Sequence, residues 1–202
     1  TLSLHDALPI LPETIILADG DFPSHPLALE WLRQCPYVVC CDGAANTYIR
    51  SGRMPEAIVG DGDSLLPDIK ERYASLIHSE AEQETNDLSK AFRFCLSQER
   101  KRITIMGATG KREDHTIGNV SLLADYMEQA EVSMMTDYGI FVPIREDSMF
   151  ESYIGQQISV FNMNSTALSA EGLAYPLSVF TNWWQGTLNE ALARHFIIRT
   201  EG

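Results

Sequence analysis

The sequence predicts an α/β chain, with an N-terminal doubly wound, mostly parallel sheet followed by a C-terminal antiparallel β-sandwich domain. Three observations carry this expectation. Between residues 14 and 135, short apolar runs alternate with segments of helical period, the pattern of strands joined by crossover helices. Polar turns rich in Gly and Asp stand directly after those runs, where an open sheet of this Rossmann-like kind binds its ligands. After about residue 140 the helical period stops, and strand-like runs are separated by Gly, Pro, Asn and Ser. The expected domains are 11–138 and 139–202.

Residues 14–18 (TIILA) form the first strand, ended by an Asp19-Gly20-Asp21 turn. Pro26 opens a helix, since proline is tolerated at the first helical position. Residues 37–41 are the second strand, and Asp42-Gly43-Ala44-Ala45 follows with small residues that leave the next helix N-terminus bare for a phosphate. Residues 57–60 are the third strand, ending in Gly60-Asp61-Gly62-Asp63-Ser64. A helix over 67–73 and a strand over 76–78 come next. Leu88, Ala91, Phe92, Cys95 and Leu96 fall on one helical face, with Asn86 or Asp87 as its cap. Residues 102–106 are a strand, 116–129 a helix with Ile117, Val120, Leu123, Ala124 and Met127 inward, and 132–135 a further strand. The β-domain draws its strands from 139–142, 157–161, 173–177 and 196–199.

With 45% hydrophobic residues in 202, the chain can bury a core. A formal net charge of −13 argues against nucleic acid and anionic membrane as partners, because these require clustered Lys and Arg. Four cysteines show neither a CxxC pair nor zinc-ligand spacing, and no run is long enough to span a bilayer, so a cytoplasmic protein with free thiols is expected. Residues 1–10 read as a non-native leader, which sets His5 and Asp6 aside.

Asp61 and Asp63, one residue apart past a strand end, can turn toward one point, and their hard oxygens suit Mg²⁺ held jointly with substrate phosphates. An acidic turn is the plain alternative. Gly107-Ala108-Thr109-Gly110-Lys111-Arg112 is not a P-loop, because Ile105 and Arg112 stand where that motif needs Gly and Ser or Thr. It reads as a Gly-rich anion clamp in which Arg112, with its planar fork, is the better phosphate ligand. Asp87 caps a helix or contacts the site, His115 beside Asp114 reads as structural, and Trp183-Trp184 are core aromatics or a flat platform for a ring.

Together these motifs resemble the thiamine pyrophosphokinase family from about residue 14 onward. The resemblance rests on Asp42-Gly43-Ala44, on Gly60-Asp61-Gly62-Asp63-Ser64, on Thr85-Asn86-Asp87-Leu88-Ser89-Lys90, and on the run from Gly107 to His115 with Gly118-Asn119. Gly172-Leu173-Ala174-Tyr175-Pro176-Leu177 and Leu188-Asn189-Glu190 extend it. Gly62 stands where the family has an aromatic residue, Lys111 where it has Gly, and Leu188 where it has Ser; Asn86 separates the Thr-Asp pair.

The resemblance implies transfer of pyrophosphate from ATP to the hydroxyl of thiamine, with release of AMP. It implies Mg²⁺ on Asp61 and Asp63, with Asp87 as a third ligand or close behind. Arg112, assisted by Lys111, is expected on the ATP phosphates. Backbone of Asp42, Gly43 and Ala44 is expected along the nucleotide site with Thr85, Gly107, Gly110 and His115. Asp114 is expected to orient the attacking hydroxyl or Arg112. Trp183, Trp184, Asn189 and Glu190 are expected on thiamine, and a homodimer with its active site at the subunit interface is implied. A non-catalytic thiamine-binding sensor would have lost acids or the arginine, all present here. A metal-dependent nucleotide-sugar transferase also sets D-x-D after a strand, but no sugar-binding signature accompanies it.

Overall fold

Continuous apolar runs such as 14–18 can be satisfied only where both sheet faces are covered. In the computed structural model, which describes residues 11–80 and 84–201, that is where they lie. The leader reading, His5 and Asp6 fall outside the described residues. Strands β1 (Thr14–Leu17), β2 (Val38–Cys41), β3 (Ala57–Gly60), β4 (Ile77–Ser79), β5 (Arg102–Met106), β6 (Glu131–Met135) and β7 (Ile140–Phe141) form one sheet in the order β4-β3-β2-β1-β5-β6-β7. All neighbours are parallel except β6 and β7. The chain winds outward from β1 through β2, β3 and β4, then restarts with β5 on the other side of β1. The strand order therefore reverses between β1 and β5, which opens a crevice beyond their carboxyl ends.

The helices are α1 (Pro26–Gln34), α2 (Ala44–Arg50), α3 (Pro67–Arg72), α4 (Asp87–Ser97) and α5 (Glu113–Tyr126). α4 packs over β1, β2 and β3, burying the expected Leu88, Ala91, Phe92 and Cys95 with Ile16, Val39 and Val59. Phe92 stacks on Tyr126 of α5, with ring centroids 3.9 Å apart. Phe92 is 1% exposed, so Phe92→Ala should lower unfolding free energy by about 3–5 kcal/mol. The shift would appear in the urea midpoint, and a change below about 1 kcal/mol would contradict this packing.

α5 starts earlier than its sequence expectation, because Glu113 and Asp114 in the first turn complement the helix dipole. Its inner face is also rotated. Asn119, Leu123 and Tyr126 are buried, whereas the expected Ile117 is 60% exposed. Asn119 takes the buried position because its amide donates to the Ala108 carbonyl at 2.8 Å.

The chain divides into compact units at Leu11–Pro143 and Ile144–Gly202. The run expected to start the β-domain at 139–142 instead supplies β7, which extends the large sheet by pairing Met134 with Phe141 and Met135 with Ile140. A two-residue strand carries no period, and only the neighbouring edge of β6 decides where it pairs. In the second unit, β8 (Ser148–Glu151), β10 (Ala167–Glu171) and β12 (His195–Glu201) form an antiparallel sheet ordered β10-β12-β8. β9 (Gln157–Ile158) pairs antiparallel with β11 (Asn189–Glu190). Leu177, Ala191, Phe196 and Ile198 are buried between flanking residues that include Phe150, Ile158 and Leu168. The run 173–177 is not a strand. It gives one bridge, Leu173 to Ala191, and places Leu177 in the core. β8 and β10 went unread because their residues are mixed in polarity and only half-buried on the inward side.

Candidate active site

The polar turns that follow β1, β2, β3 and β5 lie at the carboxyl ends of adjacent strands. β3 ends at Gly60, where a Cβ would stand 2.8 Å from the Cβ of Asp42 and 3.4 Å from the Cγ of Asp87. Only glycine lets the loop after β2 and the start of α4 close on the end of β3 in this way. Asp42 is 4% exposed. Its Oδ2 accepts from the Ser64 amide at 3.0 Å, and its Oδ1 has no partner. Burial pushes the Asp42 carboxyl up from its ordinary range, and the nearby Asp87 and Asp61 carboxylates push the same way. A buried carboxylate oxygen without a donor, beside two further acids, is an arrangement that calls for a cation.

The acidic loop is held from outside. Asn46 of α2 donates to the Ser64 carbonyl at 2.8 Å and accepts from the Leu66 amide at 3.0 Å. Lys70 of α3 donates to the Gly62 carbonyl at 2.8 Å. Within the loop, the Asp63 amide donates to Asp61 Oδ1 at 3.0 Å. Asp61 is half-buried and near enough to raise the Asp42 carboxyl, and Asp63 is exposed. Among the described residues no three His, Cys, Asp or Glu side chains are grouped to hold a metal by themselves. Mg²⁺ still fits the donor set, because it is usually held by one or two carboxylates with water and phosphate oxygens completing the shell.

At the start of α4 the cap is Asn86, whose Oδ1 accepts from the Ser89 amide at 2.9 Å, so Asp87 is released from capping. Asp87 Oδ1 accepts from the buried Lys90 ammonium at 3.0 Å. Asn86 Nδ2 donates to Asn119 Oδ1 at 3.1 Å, and Asn119 donates in turn to Ala108 O, which ties α4 and α5 to the turn after β5. Thr85 is exposed and accepts from Arg93 at 3.1 Å.

The α2 N-terminus differs from its expectation. It is faced by acids, since a Cβ on Gly43 would lie 2.6 Å from Asp19 Oδ2 and the Asp42 carboxylate flanks it. That environment favours a cation, not a phosphate. Gly43 and Ala44 are buried, and beside them the Asp42 carboxylate keeps Oδ1 unpartnered.

The cationic side of the site is the turn after β5. The Arg112 side chain does not cap α5, and within the first turn the His115 amide donates to Asp114 Oδ1 at 3.0 Å. Gly107 and Gly110 have positive φ. Arg112 makes a two-pronged pair with Asp114, through Nε at 3.1 Å and an Nη at 2.5 Å, and both side chains are exposed. The Arg112 guanidinium holds the Asp114 carboxyl down to about 2, and the His115 amide adds to the effect. The His115 side chain is exposed. Lys111 is turned to Asp19, donating to its carbonyl at 2.8 Å and to its Oδ1 at 3.1 Å.

In the second unit, Trp183 and Trp184 open the short 3₁₀ turn Trp183–Gly186 and are 53% and 71% exposed. They are therefore not core, and Trp183 meets Phe161 edge-on. Asn189 is 3% exposed, and its carboxamide accepts from the Tyr175 amide at 3.0 Å and donates to the Tyr175 carbonyl at 2.8 Å. Both polar ends of the Asn189 carboxamide are thus engaged by the backbone of Tyr175. Glu190 is half-buried in β11.

Sequence reasoning missed Asp19, Asp21, Asn46 and Lys70. Asp19 and Asp21 carried the one usable signal, a polar turn directly after an apolar strand, as in the motifs that were singled out.

Two family models cover most of the chain: "Thiamin pyrophosphokinase, catalytic domain" over residues 28–135 and "Thiamin pyrophosphokinase, substrate-binding domain" over 139–202. Thiamine pyrophosphokinase 1 of Oryza sativa subsp. japonica is 30% identical over 129 residues, covering 52% of this chain and 49% of that protein. Thiamine pyrophosphokinase of Bacillus subtilis (strain 168) is 34% identical over 86 residues, covering 41% of this chain and 40% of that protein. In these alignments the chain spans about half or less of the length of the curated relatives it matches. The crystal structure of the Bacillus subtilis enzyme shares the fold with a TM-score of 0.74 at 20% identity, covering 93% of each chain. The yeast structure shares it with a TM-score of 0.74 at 16% identity, covering 96% of this chain and 84% of the yeast chain.

Proposed function

Since the chain belongs to the thiamine pyrophosphokinase family, we propose that it transfers pyrophosphate from ATP to the hydroxyl of thiamine, giving thiamine diphosphate and AMP. The observation that carries this reading is Asp42, buried with one carboxylate oxygen unpartnered between Asp61 and Asp87. Such a corner needs positive charge, and a nucleotide arriving with its metal would supply it.

Mg²⁺ arriving with ATP would be held by Asp42 and Asp61, with phosphate oxygens and water completing its shell and Asp87 and Asp63 adding negative charge nearby, and would neutralise charge on the phosphate chain. Arg112 is placed to bind phosphate oxygens with its two-pronged face once these displace Asp114. In the unliganded chain the Arg112 pair holds the Asp114 carboxyl at about 2, and Asp114 keeps the guanidinium fork oriented until phosphate takes its place. The hydroxyl must attack the β-phosphorus as charge builds on departing AMP, and alignment with cationic stabilisation carries most of that work. The exposed Trp183 and Trp184 offer flat faces to a cationic aromatic ring.

A homodimer with the active site at the subunit interface belongs to the same proposal. The exposed Met149, Ile154, Trp184 and Leu192 of the second unit support an association surface. Free thiols at Cys35, Cys40, Cys41 and Cys95 support a reducing, cytoplasmic setting. Among the described residues no helix is long and apolar enough to cross a membrane. Incubation with thiamine, ATP and Mg²⁺, followed by chromatography, should yield thiamine diphosphate and AMP in equal amounts. Thiamine binding without product would leave a sensor module, and turnover of a nucleotide sugar instead would leave a transferase.

A further inference from the structure

We propose that Lys111 is a positioning residue that straps the turn after β5 to the turn after β1, keeping Arg112 in place for the phosphates of ATP. The inference deepens the proposed reaction and rests on it. The two turns meet at the point where the strand order reverses, between β1 and β5. They are already zipped by backbone: the Gly20 amide donates to Gly107 O at 2.6 Å, and the Asp21 amide to Thr109 O at 2.8 Å. The Asp21 carboxylate lies so close over Gly110 that no Cβ would fit there. Lys111 closes the interlock through its two bonds to Asp19.

The backbone supplies a second, independent sign. Lys111 has φ +55, in the left-handed region that L side chains avoid, directly after Gly110 at φ +78. Glycine would meet that demand without strain, whereas the lysine sets its two bonds to Asp19 against the strain. Arg112 follows at once, and its amide donates to Gly110 O at 2.7 Å, so the shape imposed at 111 passes directly to the guanidinium. The pair is about half-exposed, which limits its value to stability and leaves geometry as its effect.

A lysine that bound phosphate directly would have to leave Asp19, and Asp19 would then compete with ATP. The two roles predict opposite signs for the Asp19 variant. ATP dissociation constants measured by calorimetry for Asp19→Ala, Lys111→Met and the double variant, with KM for thiamine and melting curves alongside, separate them. For a strap, each single change should weaken ATP about 3- to 10-fold, and the double change should be no weaker than the worse single, because both remove one interaction. KM for thiamine and the melting temperature should stay near the parent's. Tighter ATP binding by Asp19→Ala, additive losses, or unchanged affinity in both singles would each overturn the strap. A parent chain that bound no ATP would sink the proposed reaction itself, and the positioning role with it.

Discussion

Asp42→Asn should lower turnover by about 10²-fold or more while raising the thermal midpoint of the unliganded chain. The two effects share one cause. Asp42 is buried, holds one hydrogen bond from Ser64 and leaves Oδ1 unpartnered near Asp61 and Asp87. Asparagine keeps the shape, can accept the same bond and tolerates φ +32, but it brings no charge to a bound cation. It also removes a carboxylate whose charged form is disfavoured by burial.

The sign with pH follows from linkage. Because burial raises the Asp42 pKa in the folded chain, the folded state binds the proton more tightly than the unfolded state. Stability from this group therefore falls as pH rises through the interval between the unfolded and folded values. The advantage of asparagine should be full above the raised folded value, shrink as pH falls through it, and vanish below the unfolded value of about 3.9. Melting curves of both chains between about pH 4 and pH 8 test this. An Asp42→Asn chain with parental turnover, or with no gain in midpoint at neutral pH, would remove Asp42 from the cation site.

Arg112→Ala should cost about 10²-fold in kcat/KM for ATP, with Arg112→Lys recovering only part of the loss. The guanidinium already binds a carboxylate through two parallel bonds, the geometry a phosphate would use. Lysine keeps the charge and loses the fork. KM for thiamine should change little, since the deficit belongs to the nucleotide. Equal rates across Arg, Lys and Ala would show that the Asp114 pair is a solvated surface contact with no phosphate role.

Much of the site was legible because its chemistry stands where local period ends. The bounds of β5 and the buried face of α4 follow from apolar spacing alone. So does the placing of Asp42, Asp61 and Gly107 beyond strand ends. These are local properties, set by propensity and by the need to bury one face of each element. The sequence likewise carried the family, through motifs kept in order.

Which strand ends become neighbours is not local. That Asp42 and Asp87 converge on Gly60 depends on β2 pairing with β3 and on α4 crossing above them. That Asp19 receives Lys111 depends on β5 returning beside β1. The same holds for β7, too short for any period, and for Asn189, whose carboxamide went to the backbone of Tyr175 because burial leaves no polar group unpaired without cost. The sequence by itself determined the elements and the residue types at their ends. The tertiary structure decided the partners, because hydrogen bonds and charge pairs are chosen by proximity, and proximity between distant segments is created only when the sheet assembles.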